Sequence, residues 1–309
     1  MKVSSVIETP LNSGSIVTIG TFDGVHIGHQ KIIKKLVDLG KEKDLQSVLL
    51  TFFPHPRMVI HKDSEIKLLN TLKEKSIILE ANGLDHLVIK EFTPEFSRLT
   101  ALEFVRDILV NALKTKCIII GYDHRFGRNR AANIDDLKDF GQIYDFEVIQ
   151  ISAEEINEVA VSSTKIRKAL ESGDLKTANA YLGYPYMLSG TVVSGKGLGR
   201  ELDFPTANLQ IAESFKLIPK NGVYAVKSEI DGDNIYGMMN IGVNPTVNEN
   251  SDQNIEIHFF DFDKDIYGQE LQIDVLVRLR DERKFDSLDA LKSQLDIDQQ
   301  NAKEQIKSL

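Results

Sequence analysis

The chain has 309 residues, 42% of them hydrophobic and 27% charged, which suggests two domains, each able to bury a core. The net charge of −9 is uneven: residues 1–185 carry 24 Lys+Arg against 25 Asp+Glu, and residues 186–309 carry 13 against 21, so the acidic second half disfavours general nucleic-acid binding while leaving room for a small anion in a local pocket. The apolar runs are too short to span a membrane, Met1–Pro10 lacks the apolar stretch of a secretory signal, and a lone cysteine, Cys117, excludes an internal disulfide framework and fits a reducing cytoplasm.

Strand and helix signals alternate through the first half. Ser15–Ile19 reads as a buried strand, and Ile32, Ile33, Leu36 and Val37 give His29–Leu39 a helical spacing that Gly40 is expected to stop. Ser47–Phe52, Asp85–Ile89, Lys116–Gly121 and Phe146–Ile151 are further short apolar strands. Thr100 and Glu103 form a capping-box pattern opening a helix through Leu113. This order predicts a doubly wound parallel sheet with helices on both faces.

Between the first strand and the first helix lies Gly20-Thr21-Phe22-Asp23-Gly24-Val25-His26-Ile27-Gly28-His29. A doubly wound sheet binds phosphates at this position, at a strand's carboxyl end and against a helix N-terminus. Gly20, Gly24 and Gly28 would let backbone approach a ligand. His26 and His29, three apart, share a helix face, and their ring N–H groups can contact a triphosphate and take up charge as pyrophosphate leaves. Turn glycines with two satisfied histidines are the plain alternative, which the strand–turn–helix context disfavours. Ser162-Ser163-Thr164-Lys165-Ile166-Arg167 opens another helix; its hydroxyls can bond phosphate oxygens and Arg167 adds a fixed charged fork, although Ser-Ser-Thr alone is an ordinary cap.

After Leu182-Gly183-Tyr184-Pro185 the hydrophobic period shifts towards two. Met187–Val193, Gly222–Ser228, Ile235–Ile241, Asn254–Phe260 and Leu271–Arg278 read as strands, Asp231-Gly232 as a hairpin turn, and a closing helix runs from about Ser287 to Leu309. A small antiparallel β-barrel with a terminal helix is expected, giving domains 1–184 and 185–309. Gly195, Gly197, Gly199 and Arg200 belong to a glycine-rich loop followed by Phe204-Pro205-Thr206-Ala207-Asn208. Thr206 and Asn208 face one way in an extended segment, and a hydroxyl with an amide oxygen suits Mg²⁺ bound to ATP phosphates. Glu256 shares a strand face with His258 and could accept a proton from an alcohol attacking a γ-phosphate, or simply belong to the strand's polar face.

With these motifs in order, nearly the whole chain resembles the prokaryotic bifunctional riboflavin kinase/FMN adenylyltransferase (FAD synthetase) family. Further matching motifs are Thr51-Phe52-Phe53-Pro54-His55-Pro56, Gly121-Tyr122-Asp123, Phe126-Gly127, Asn240-Ile241-Gly242 and Arg280 through Phe285. The resemblance implies phosphorylation of riboflavin to FMN by the second domain and adenylylation of FMN to FAD by the first, with ATP and Mg²⁺ in both steps. It places His26, His29, Ser163, Thr164 and Arg167 on ATP phosphates and Phe22, Asp23 and Gly24 in the nucleotide pocket. Pro54, His55, Pro56 and Asp123 would lie on the flavin side of the first site. In the second, Thr206 and Asn208 would hold Mg·ATP, Glu256 would be the base and Arg280 would be the flavin-side arginine. The implied partners are the small molecules ATP, riboflavin, FMN and FAD, with no nucleic acid or membrane. His124, Ala131-Ala132-Asn133 and Asp203 depart from the family pattern; Asp203 stands where glycine is usual and would be strained if φ is positive there.

The histidine turn alone would equally serve transfer to another phosphorylated acceptor, and a non-catalytic flavin sensor could descend from the same fold. The Pro-Thr-Ala-Asn barrel argues against the first, and the intact set His26, His29, Arg167, Thr206, Asn208 and Glu256 against the second.

Overall fold

A computed structural model describes residues 1–4, 14–60, 65–121, 124–152, 161–195, 199, 202–243 and 253–309. The chain divides into two compact units, one of Met1–Leu68 with Leu72–Val161, the other of Leu69–Thr71 with Ser162–Leu309.

In the first unit, β1 (Lys2–Ser4), β2 (Ser15–Ile19), β3 (Gln46–Phe53), β4 (His86–Glu91), β5 (Thr115–Gly121) and β6 (Glu147–Ile151) form a sheet in the order β1-β4-β3-β2-β5-β6. Every pairing is parallel. The central strands read as unbroken apolar runs because both faces are covered: all five residues of β2 are buried. Val17, Ile19, Val48 and Leu50 pack with Phe104, Val105, Leu109 and Leu137. The helix α1 (Ile27–Glu42) lies on the opposite face, where Gly40 approaches Ile16. The expected stop at Gly40 is thereby corrected. Gly40 is buried, a Cβ there would stand 2.9 Å from the Leu45 carbonyl oxygen, and the helix runs on to Glu42. Close packing, rather than termination, is what this glycine serves.

Among the described residues of the unit there are four further α-helices: α2 (Pro56–Ile60), α3 (Leu72–Ala81), α4 (Ala101–Glu103) and α5 (Ile134–Tyr144). The capping box at Thr100 and Glu103 is present in both halves. Beyond it the helix does not stay α as expected: Phe104–Ala112 is π-helical, closing with Leu113 N–H donating to the Ile108 carbonyl at 2.9 Å. Nothing in the residue pattern explains the switch.

The second unit begins with α6 (Ser163–Ser172) and α7 (Leu175–Leu182), followed by β7 (Tyr186–Val193), β8 (Ala207–Gln210), β9 (Gly222–Ile230), β10 (Asp233–Val243), β11 (Gln253–Phe259), β12 (Glu270–Arg280) and α8 (Leu288–Lys307). The strands close into an antiparallel barrel ordered β10-β11-β8-β7-β12-β9. Asp231 and Gly232 turn between β9 and β10 with φ of 56° and 87°, the positive pair that a two-residue hairpin demands. Tyr186, Tyr224, Met239 and Ile257 are fully buried in the barrel. On its outside, Ala225, Met238, Phe260, Leu202 and Phe204 form a second core with Leu291, Leu295 and Ala302 of α8.

Candidate active sites

The chain runs from β2 out through β3 to β4, then returns to lay β5 on the other flank of β2. The carboxyl ends of β2 and β5 therefore flank the point where the winding reverses, where such sheets bind ligands. Gly20–His29 leaves β2 there. The turn is tight: Phe22, Gly24 and Val25 have φ of 44°, 83° and 32°. Gly20 has no side chain because the Phe22 ring folds back onto it, 2.9 Å from where a Cβ would sit.

The turn ends on His26, the N-cap of α1, whose Nδ1 accepts the His29 backbone N–H at 3.4 Å. That bond uses the lone pair of Nδ1, so the neutral ring carries its proton on Nε2, free to donate to a ligand. The His26 and His29 rings stack at 3.6 Å, and Phe22 lies 4.5 Å from His29. His29 Nδ1 is buried with no hydrogen-bond partner among the described residues. Burial pushes His26 down to about 4, against smaller upward effects of a backbone hydrogen bond and Asp23. Burial, then His26, then Lys75 hold His29 well below the usual imidazole range. Two neutral imidazoles at a helix N-terminus form a donor-rich pocket that an anion can charge on arrival.

Pro54, His55 and Pro56 follow β3 and are partly buried, with His55 Nδ1 accepting the Arg57 N–H at 3.1 Å. Beside them Phe52, Phe92 and Phe96 meet at centroid distances of 5.6–5.8 Å, and the series continues through Phe104 and Phe126 to His124. Asp123 lies outside the described residues, as do Gly197 and Arg200. Ser162, rather than Ser163, caps α6, accepting the Lys165 N–H at 3.3 Å; Thr164 is exposed and Arg167 half-buried. The helix α6 belongs to the second compact unit and the histidine turn to the first.

Strand register assembles the other site. Asn208 of β8 is paired directly with Glu256 of β11, and Glu256 on its other side with Asn240 of β10. Directly paired residues point to one face with Cβ atoms about 4.5–5.5 Å apart, so the amide and the carboxylate are neighbours. Asn254 Nδ2 donates to Glu256 Oε1 at 2.5 Å. His258, two residues on, meets the Pro205 carbonyl oxygen through Nδ1 at 2.9 Å and packs on Phe204, fixing the segment that carries Thr206. Burial lowers the His258 pKa, in line with an Nδ1–H donor. A Cβ on Gly195 would collide with the Asn208 amide, and one on Gly199 with the Phe204 carbonyl. Asp203 has φ 65°, the strained conformation that the glycine-to-aspartate departure raised. Its carboxylate pairs with Lys292 of α8 at 2.6 Å.

A cavity of about 420 Å³ opens on Pro205, Thr206 and Ala207, walled by Ile257, Phe259 and the loop Phe262–Tyr267. Sequence reasoning missed that loop; Phe262 and the turn dipeptide Tyr267-Gly268 were the available signal. Arg280 is held by α8: Nε and Nη2 grip the buried Asp298 carboxylate at 2.6–3.0 Å, and Gln294 Nε2 donates to the same carboxylate at 2.8 Å. Arg280 and Arg283 both lie over the Phe285 ring.

An α/β unit with a histidine turn at its switch point and a barrel with a paired amide and carboxylate, Asn208 and Glu256, define a two-part, nucleotide-using transferase. Residues 8–165 match the FAD synthetase family model and residues 182–306 the riboflavin kinase model. Curated relatives described as bifunctional riboflavin kinase/FMN adenylyltransferase include those of Listeria monocytogenes (37% identical, covering 93% of this chain and 91% of that one), Escherichia coli K12 (36%; 94% and 92%) and Bacillus subtilis (35%; 93% and 91%). A Streptococcus pneumoniae crystal structure described as a macrolide-efflux protein superposes with a TM-score of 0.85 at 31% identity over 96% of each chain. Among the described residues of this chain no helix is long and apolar enough to cross a membrane. The chain belongs to the bifunctional riboflavin kinase/FMN adenylyltransferase family.

Proposed function

We propose that residues 185–309 phosphorylate riboflavin through Thr206, Asn208 and Glu256, and that residues 1–184 adenylylate the resulting FMN through His26, His29, Ser163, Thr164 and Arg167. The chain is a riboflavin kinase and FMN adenylyltransferase, so ATP is its co-substrate and FMN and FAD are its products. The observation that carries the residue assignment is the pairing of Asn208 with Glu256. A histidine turn alone fits several nucleotidyl acceptors, whereas a carboxylate beside hard neutral oxygens suits an alcohol nucleophile.

In the kinase step, Glu256 orients the riboflavin hydroxyl and takes its proton as oxygen bonds to the γ-phosphorus and ADP leaves. The Thr206 hydroxyl and Asn208 amide oxygen are fitting donors for a Mg²⁺ ion that keeps phosphate and water ligands. No cluster of three His, Cys, Asp or Glu among the described residues offers a full protein cage. Bound there, Mg²⁺ would neutralise phosphate charge. Gly195, Gly197, Gly199 and Arg200 would cover the phosphates and Arg280 would contact the flavin.

In the adenylyl step, an FMN phosphate oxygen bonds to the α-phosphorus as pyrophosphate leaves. The nucleophile is already ionised, so donors and cations, rather than a strong base, lower the barrier. His26 Nε2–H and the α1 backbone N–H groups supply them beside Gly20, Phe22, Asp23, Gly24 and Gly28. Pro54, His55, Pro56 and Asp123 take the flavin side. The lone buried thiol of Cys117 supports a cytoplasmic location, and the acidic second half supports small-molecule rather than nucleic-acid partners.

The test is one incubation of the purified chain with riboflavin, ATP and Mg²⁺, with flavins separated over time. FMN appearing first and FAD later is expected. FAD only from supplied FMN would mean a disabled kinase, and no product from either flavin would refute both assignments.

A further inference from the structure

Lys75 of α3 lies beneath the histidine turn, only 6% exposed. Its Nζ donates to the Thr21 carbonyl at 2.7 Å. Burying an ammonium is costly unless polar partners repay it, and a backbone carbonyl is one part of that repayment. Asp23, 3% exposed, is the second: its negative charge favours the ammonium, against a burial effect that is larger and lowers the Lys75 pKa. The same Thr21 oxygen also accepts Thr51 Oγ1 from β3 at 3.3 Å.

Thr21 is the residue before the strained stretch, in which Phe22 and the β-branched Val25 both adopt positive φ. Such backbone persists only where its surroundings over-determine it. Gln30 Nε2 pins the far end, donating to the Val25 carbonyl at 2.8 Å, and Lys75 with Thr51 pins the near end.

We propose that Lys75 is a positioning residue for adenylyl transfer, its buried ammonium holding the Thr21 carbonyl and so the turn that sets the His26–His29 stack. The proposal rests on the assignment of both histidines to the phosphate site. It carries a second consequence. Among the described residues of the first unit, the titratable groups facing the histidines are Asp23 of the turn and Lys75 of α3, since β2 and β3, on which α1 lies, bear none. The ammonium opposes an imidazolium at His29, after burial and His26, so Lys75 helps keep the stack uncharged before a polyphosphate binds.

The test uses the full chain with Lys75→Met, Lys75→Arg and Thr51→Val. FAD formation from supplied FMN is followed at varied ATP, riboflavin phosphorylation serves as an internal check, and the histidine ring protons are titrated by NMR. For Lys75→Met the expected result is a fall in FAD-forming kcat of about 100-fold, the scale of a misplaced reactive group. The kinase rate should stay within twofold, and His29 should titrate at higher pH than in the wild type. Lys75→Arg, which keeps donor and charge, should recover at least a tenth of the rate. Thr51→Val should lose several-fold in kcat with the His29 titration unmoved. A Lys75→Met protein forming FAD within threefold of wild type overturns the proposal. So does one that loses activity with His29 unmoved and no recovery in Lys75→Arg, because that lysine would be merely structural. If Lys75→Met does not fold, Thr51→Val decides, and an unchanged kcat there overturns it. Full FAD formation by His29→Ala would instead sink the histidine assignment, whatever Lys75 does.

Discussion

Glu256→Gln removes the charge of the proposed kinase base and keeps its shape. Both strand partners, Asn240 and Asn208, remain in register, and the Asn254 amide that donates to Glu256 Oε1 at 2.5 Å still finds a carbonyl oxygen there. The fold should therefore survive. A positioned base contributes roughly 10²–10⁴ in rate. Two features favour the lower part of that range. The alcohol proton leaves late in a loose phosphoryl-transfer transition state, and the Asn254 bond already draws on the carboxylate. The expected loss in kcat for FMN formation is thus roughly 10²–10³, or about 2.7–4.1 kcal/mol, with KM for riboflavin little changed. The assay follows FMN from riboflavin and, separately, FAD from supplied FMN. A drop below tenfold would remove Glu256 from the base role, and loss of both activities in a folded protein would break the two-site assignment.

His26→Asn substitutes a preferred N-cap for the present one; α1 should hold or gain stability while FAD formation falls about 10²–10³-fold, as for a lost transition-state donor. The same variant tests pH dependence. Unfolded His26 takes a proton near 6.5 and folded His26 near 4, so the folded state loses about 3 kcal/mol as pH falls from 6.5 to 4. Melting curves of His26→Asn should be flatter across that window, and identical slopes would contradict the burial argument. Asp298→Asn leaves Arg280 facing a neutral group; the second unit should lose roughly 3 kcal/mol, the low end for a broken buried pair because Arg280 is partly open to water, with riboflavin KM rising alongside. Gly195→Ala drives a methyl into the Asn208 amide, so KM for Mg·ATP should rise in the kinase assay while FAD formation from FMN is untouched. Asp203→Gly relieves a positive φ and frees Lys292; kinase activity should be retained or increased, and its abolition would show that the Asp203–Lys292 pair is needed.

Much of the architecture was legible because its causes are local. Buried parallel strands must be apolar on both faces, so β2 and β5 announce themselves, and Asp231-Gly232 marks its hairpin through the φ values it tolerates. The strand β1 was silent: three residues, largely exposed, with no periodicity. Gly40 misled because glycine serves both helix termination and close approach, and only the Leu45 carbonyl beside it decides which. At the sites, residue types were readable and their company was not. Glu256 in isolation is the polar face of a strand; it gains Asn208 as a neighbour only through a register that depends on the whole barrel. Lys75 sits in a helix where lysine ordinarily faces water, and Asp298 lies on a strongly polar helix, so neither pattern foretold that one lies under the histidine turn and the other is 1% exposed beneath Arg280.

The unlike chemistry of the two sites explains why one chain carries two rather than a single site used twice. Riboflavin offers a neutral hydroxyl, whose proton must go somewhere, and the proposed base Glu256 is a carboxylate suited to accept it. The FMN phosphate is already an anion. A bare carboxylate such as Glu256 set against it would repel the nucleophile, at a cost that rises as water is excluded. The proposed adenylyl site answers with neutral imidazoles, helix N–H groups and an arginine. The acid of its turn, Asp23, is buried with the Lys75 ammonium close enough to offset it. A single pocket tuned for the first nucleophile would therefore reject the second, and phosphorylating the substrate changes which of the two residue sets can act on it.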